Sequence, residues 1–188
     1  LGVRTGKGQP LERVPSFTLG TAPVTPLMMA SAVSVFANHG THCPTKVISQ
    51  IETRDQEEIP LSKIVCSSVV DPGTADTAAQ MLTNVIDSSI EGRTGARMSL
   101  GRPAGGKTGT TNDSAAVWFV GFTPDISAAV WVGDPRGGYK YPMKNITING
   151  TKYKQVFGSS LPGPIWKEAM LGALAGTPES SLELQPSW

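Results

Sequence analysis

Cysteine is scarce in this chain, with two residues in 188, and histidine is equally so. A structural zinc takes four ligands, and His39 and His42 have no arrangement that would complete one with Cys43 and Cys66, so no metal and no cofactor is expected. Net charge is nearly absent. The 16 basic and 15 acidic residues leave +1 and are scattered along the sequence, which argues against a nucleic-acid partner. Long apolar runs are missing too: none approaches the roughly 20 residues that span a bilayer, and the N-terminus has no basic-then-apolar export pattern. What remains, 39% hydrophobic and 16% charged residues, is the composition of one globular domain or a large piece of one. Leu1-Gly2-Val3-Arg4 contains no initiator methionine and reads as a cut in a longer chain. A small-molecule or peptide ligand is the expected partner class.

The clearest helix covers residues 25–38, with Thr25 as N-cap, Pro26 at the first helical position and Gly40 just beyond the end. Leu27, Ala30, Ser31, Val33 and Ser34 give it a small-residue packing face. Strands are expected over 45–53 and 58–66, joined near Arg54-Asp55-Gln56-Glu57. Such a hairpin would bring Cys43 and Cys66 nearly opposite each other, and a disulfide and two separately buried thiols both fit. After Asp71-Pro72-Gly73, Ala78, Met81, Leu82, Val85 and Ile86 recur at helical spacing within 74–90. Glycine, arginine and proline make 92–106 a loop. Short β-branched and aromatic runs at 117–122 and 126–132, separated by Thr123-Pro124-Asp125, read as an antiparallel hairpin, with 107–111 as an edge or first strand. A Gly/Pro loop at 134–141, a small hairpin around Asn149-Gly150 and a helix over 165–174, stopped by Gly176, follow. Residues 1–176 thus read as one mixed α/β unit, and 177–188 as a flexible tail.

One stretch carries chemistry and can be read in two ways. Gly101-Arg102-Pro103-Ala104-Gly105-Gly106-Lys107-Thr108 satisfies the phosphate-loop pattern. That loop needs a buried strand before it and a helix after it. The flanks supply neither, since Gly109-Thr110-Thr111-Asn112-Asp113 are poor helix formers leading into a strand. The second reading makes Lys107-Thr108-Gly109-Thr110 an edge strand, where glycine opens the backbone to a peptide-like ligand. Lys107 then supplies positive potential and assists proton transfer, Thr108 and Thr110 bond a carboxylate, and the Thr110 N–H faces an oxyanion. Taken alone, these four residues are no more than an exposed Lys-Thr turn.

The surrounding sequence changes that. GGKTGTTNDSAAVWFVGFTP, residues 105–124, resembles the third-motif region of class A penicillin-binding proteins. FTLGTAPVTPLMMASAVSVFANHG (17–40), AAVWVG (128–133) and PGPIWKEAM (162–170) are similar to other blocks of the same family. The resemblance implies the penicillin-recognising transpeptidase fold, an antiparallel sheet with packed helices, incomplete at its N-terminal side. It implies a serine acyltransferase that cross-links peptidoglycan stem peptides ending in D-Ala-D-Ala and is acylated by β-lactams, working outside the bacterial cytoplasmic membrane behind an N-terminal anchor not present here. Of the family's Ser-x-x-Lys, Ser-x-Asn and Lys-Thr-Gly elements, only Lys107, Thr108 and Gly109 match the third. The other two strings occur nowhere in the sequence. Thr151-Lys152-Tyr153-Lys154 has threonine for serine and lies in the predicted surface hairpin, where nothing activates a hydroxyl. Ala116 stands where the family often has an acid. The nucleophile is therefore expected from the remainder of the domain, and the alternatives are a serine-less binding module for peptidoglycan or β-lactams and a nucleotide-binding protein.

Overall fold

The computed structural model describes residues 1, 3–87 and 89–187; Gly2 in the stretch expected to be a cut, Ser88 inside the second predicted helix and Trp188 at the end of the predicted tail lie outside the described residues. Helix α1 spans Pro26–Ala37, with Thr25 Oγ1 accepting the Met28 N–H at 3.3 Å and Pro26 opening the first turn. Gly40, at φ 83°, then turns the chain back where a Cβ would collide with the Val70 carbonyl. The buried residues of α1 are Ala32 and Val35; Leu27, expected on its packing face, is 61% exposed.

The two long strands expected over 45–53 and 58–66 do not form. Only β1 (Thr41–His42) and β2 (Ser67–Ser68) pair, and just inside them a disulfide joins Cys43 to Cys66 with their Cα atoms 4.2 Å apart. Farther out, a lone Glu52↔Glu58 bridge and the Thr53 N–H to Glu57 carbonyl bond (2.9 Å) mark the turn. Pro44 and Pro60 remove ladder donors, and an uncovered two-stranded ribbon has no core to hold it. Val47, 94% exposed, shows how little covers this arm.

Helix α2 spans Pro72–Ile86, shorter at its end than the sequence suggests. Asp71 caps it by accepting the Thr74 N–H at 2.9 Å. At the other end the following loop folds back, and the Gly95 N–H and Arg93 Nε take the carbonyls of Val85 and Ile86 at 3.1 and 3.0 Å, ending the helix there.

The sheet that carries the site has strands β3 (Gly105–Thr110), β4 (Ala116–Phe122) and β5 (Ser127–Gly133), antiparallel in that order. Thr123 closes the β4–β5 turn, its Oγ1 accepting the N–H of Asp125 and Ile126 at 3.3 and 3.1 Å. Side chains alternate between two covered faces. On one, Phe119 meets Trp166 of helix α3 (Pro162–Ala173), ring centroids 4.9 Å apart, among Ile86, Met98, Leu100 and Met170. On the other, Phe122 packs with Ala79 and Leu82 of α2 and Val33 and Phe36 of α1. The architecture is thus a mixed α/β sandwich of helix, sheet and helices. Strands β6 (Lys144–Ile148) and β7 (Thr151–Gln155) form a separate ribbon, turned by Asn149 and Gly150, both at positive φ.

Residues 177–187 depart from the flexible tail expected. Leu182 is buried beside Phe122, the Gln185 N–H bonds Asp76 Oδ2 at 2.8 Å, and Arg102 reaches the Thr177 carbonyl at 3.3 Å. Polar composition suggested looseness; one well-placed leucine and a buried carboxylate hold the segment instead. Among the described residues no helix is long and apolar enough to cross a membrane.

Candidate functional site

Strand β3 pairs with β4 on one side only among the described residues. Thr111, next along the chain, gives its N–H to the Ala116 carbonyl at 3.0 Å, and antiparallel pairing alternates, so odd-numbered residues of β3 bond inward to β4. Gly106, Thr108 and Thr110 therefore direct their N–H and C=O groups away from the sheet. Lys107 Nζ curls around this open edge to the Thr108 carbonyl at 3.1 Å and to Thr108 Oγ1 at 3.3 Å. Among the described residues no carboxylate pairs with the Lys107 ammonium, which leaves a positive charge beside unpaired backbone groups.

The register separates the side chains. Lys107 and Gly109 stand opposite Val120 and Trp118, on the α1 face, and Thr108 and Thr110 stand opposite Phe119 and Val117, on the α3 face. Two residues hold the threonines: Thr108 Oγ1 donates to Thr94 Oγ1 at 3.1 Å, and Thr110 Oγ1 accepts the Gly158 N–H at 3.3 Å. Gly106 lets the strand lie against the Phe119 ring, where a Cβ would come within 3.0 Å. Helix α1 lies over β4 and β5 rather than the second half of β3, and an apolar cavity of about 430 Å³ remains there. Met29, Val33 and Phe36 of α1, Trp118, and Phe17 and Leu19 of the leading segment line it along with Lys107–Thr111. Trp118 thus faces the cavity, whereas Phe119, on the opposite face of β4, meets Trp166 of α3.

The same geometry removes the phosphate-loop reading. Residues 105–110 are strand, a short turn follows, and then comes β4, so no helix N-terminus points at the glycines. Beyond the turn, Lys144 bonds Asp113 at 2.8 Å, and this hydrogen bond, followed by the charge, holds the Asp113 carboxyl below its ordinary value. Lys107, Thr108, Gly109 and Thr110 come together as one edge, as the sequence suggests. Thr94 and Gly158 were not legible: each sits in a loop far away in sequence and touches the strand only through the fold.

An edge of this kind beside a cavity suits a ligand with a peptide-like backbone and an anionic end. The penicillin binding protein transpeptidase domain matches residues 3–141. The chain belongs to that family. Penicillin-binding protein 1A of Aquifex aeolicus (strain VF5) is 34% identical over 91% of the chain, and penicillin-binding protein 2D of Bacillus subtilis (strain 168) is 33% identical over 92%. The chain spans 22% and 24% of the length of these two curated relatives. Among solved structures, PonA1 of Mycobacterium tuberculosis in complex with penicillin V superposes with a TM-score of 0.77 at 27% identity, covering 99% of this chain and 47% of that one. Penicillin-binding protein 1A of Haemophilus influenzae, at 22% identity and a TM-score of 0.73, shares the fold over 94% of this chain and 30% of its own. Over most of its length the chain is a class A penicillin-binding transpeptidase domain.

Proposed function

We propose that β3 is the ligand-holding and electrostatic wall of a serine-type D,D-transpeptidase site. The observation that carries this reading is the open edge itself, with the Lys107 ammonium folded over it and the Thr110 N–H directed away from the sheet. A stem peptide ending in D-Ala-D-Ala pairs with this edge as an added strand, and a β-lactam occupies it in the same way. Thr108 and Thr110 bond the ligand's terminal carboxylate, and Gly109 keeps the edge clear. The Thr110 N–H faces the acyl oxygen, where one such donor contributes about 3 kcal/mol to the transition state. Lys107 raises the local positive potential and assists proton transfer to the leaving amine.

The nucleophile is a serine of a Ser-x-x-Lys element, with a Ser-x-Asn element beside it, both brought by the remainder of the transpeptidase domain. That remainder covers the apolar cavity between β3 and α1. The assembled site works on the outer face of the bacterial cytoplasmic membrane. Mixing this chain with a serine-bearing part of a class A transpeptidase domain restores covalent labelling by a fluorescent penicillin; a folded mixture that stays unlabelled contradicts the reading. The absence of Ser-x-x-Lys from the sequence favours one alternative, a binding module without acylation. Saturable, fully reversible penicillin binding in that mixture is its signature.

A further inference from the structure

Between β5 and α3 the chain makes an excursion, residues 134–157, that includes the β6–β7 ribbon. It holds five basic residues and one acidic residue, leaving eleven basic and fourteen acidic residues for the rest of the chain. The near-neutral total therefore hides a formal +4 on this excursion against −3 elsewhere. Arg136 is neutralised by Asp134 at 2.6 Å and Lys144 by Asp113 at 2.8 Å. Among the described residues Lys152 and Lys154 have no carboxylate partner. Two apart on β7, they share one exposed face, and with Lys144, Asn145, Gln155 and the half-exposed Phe157 they line a groove of about 610 Å³.

The groove adjoins the site already described. The root of the ribbon is fastened to the turn after β3 by the Lys144–Asp113 pair and by Gln155 Nε2 donating to Ser114 Oγ at 2.9 Å. Four residues beyond Lys154, the Gly158 N–H reaches Thr110 Oγ1. Four residues of chain span at most about 14 Å, so Lys154 starts within that distance of Gly158, which touches the strand's end.

We infer that this groove binds the carboxylates of an extended, polycarboxylated peptide polymer, as an outlying subsite for the ligand held along β3. The inference rests on the reading given under Proposed function. Lys152 and Lys154 repeat at the two-residue spacing of a strand, about 7 Å, which matches alternate side-chain carboxylates of an extended peptide. Asn145 adds an amide donor for carboxylate or peptide oxygens. A lipid surface fits less well, because the exposed tip residues Thr147, Asn149, Gly150 and Thr151 give nothing apolar to insert. A long nucleic acid meets the net negative remainder of the chain.

The test is fluorescence anisotropy of labelled oligoglutamate titrated with this chain at low ionic strength. Expected are saturable binding, about tenfold weakening in the K152Q/K154Q double variant, and wild-type binding in K46Q/K63Q, which removes the same charge from the exposed arm. No saturable binding, equal weakening in both double variants, or tighter binding of phosphatidylglycerol vesicles or single-stranded DNA than of oligoglutamate would overturn the inference. Lys107→Ala should keep oligoglutamate binding. In the wild-type chain assembled with a serine-bearing part of the domain, no penicillin labelling with oligoglutamate binding intact counts against the transpeptidase reading alone, and labelling without oligoglutamate binding counts against the subsite alone.

Discussion

Gly158 lies against the back of Thr110, its N–H donating to Thr110 Oγ1 at 3.3 Å, in a space so tight that a Cβ there would come 2.8 Å from Thr108 Cβ. The loop after the β6–β7 ribbon therefore sets the position of the ligand strand from behind. Gly158→Ala is expected to destabilise the chain by about 1–3 kcal/mol through overpacking, read as a lower urea midpoint. Gly172→Ala is the matched control. A Cβ at Gly172, within α3, meets nothing inside 4 Å, so this change is expected to stabilise by about 0.5–1 kcal/mol. Equal effects of the two substitutions would mean that Gly158 does not brace the strand.

Asp76 is the second brace. It is 3% exposed and accepts hydrogen bonds from the Gln185 N–H and from His39 Nδ1, each at 2.8 Å, tying α2 to the end of α1 and to the C-terminal segment. Asp76→Ala removes the buried carboxylate that accepts both bonds and is expected to cost about 1–3 kcal/mol. Asp76→Asn keeps an acceptor and should cost less. Carboxypeptidase digestion is the more specific readout: residues 177–187 should be trimmed faster in Asp76→Ala, and trimming at the wild-type rate would contradict the clasp.

The arm between the cysteines should respond differently. A disulfide closing a loop of this size contributes about 3 kcal/mol when the loop is fully ordered in the native state. Here the exposed arm also gains freedom in the native state when the bridge opens, so the loss of stability is expected to be much smaller. Reduction, or Cys43→Ser with Cys66→Ser, should speed tryptic cleavage at Lys46, Arg54 and Lys63 while shifting Tm little. A large drop in Tm would show that the arm supports the core.

Acid should loosen the excursion before it loosens the sheet. Lys144 holds the Asp113 carboxyl below its ordinary value, and Arg136, through side-chain and backbone hydrogen bonds, holds Asp134 down at about 2. A carboxylate depressed in the folded state stabilises that state above the unfolded pKa, and the contribution disappears as pH falls through the folded value. Both pairs are exposed, so the effect is modest and screened by salt. Amide exchange at Met143 and Val156, whose N–H groups bond Ser114 and Met143, should lose protection between about pH 4 and pH 2, ahead of amides in β4. Simultaneous loss in both places would contradict this.

Local chemistry explains what the sequence disclosed. Thr25-Pro26, Asp71-Pro72, Asn149-Gly150 and the apolar run 117–122 each fix their element with neighbours a few residues away, so each was legible. The candidate site was legible for the same reason, since Lys107 to Thr110 lie on one strand. What stayed hidden depends on distant partners. The C-terminal end of α2 needed the returning Arg93 and Gly95, and the ordered tail needed the buried Asp76. The failed hairpin at 45–66 needed the absence of any covering helix. The basic excursion was invisible in a count of charges because acidic residues elsewhere cancel it.

The reading of β3 as a transpeptidase wall turns most directly on the rate of covalent labelling by fluorescent penicillin, measured for this chain assembled with a serine-bearing part of the domain. Lys107→Ala should lower that rate about a hundredfold, consistent with loss of a preorganised charge at the reacting centre, while Lys46→Ala leaves it unchanged. Labelling of Lys107→Ala at the wild-type rate would contradict it.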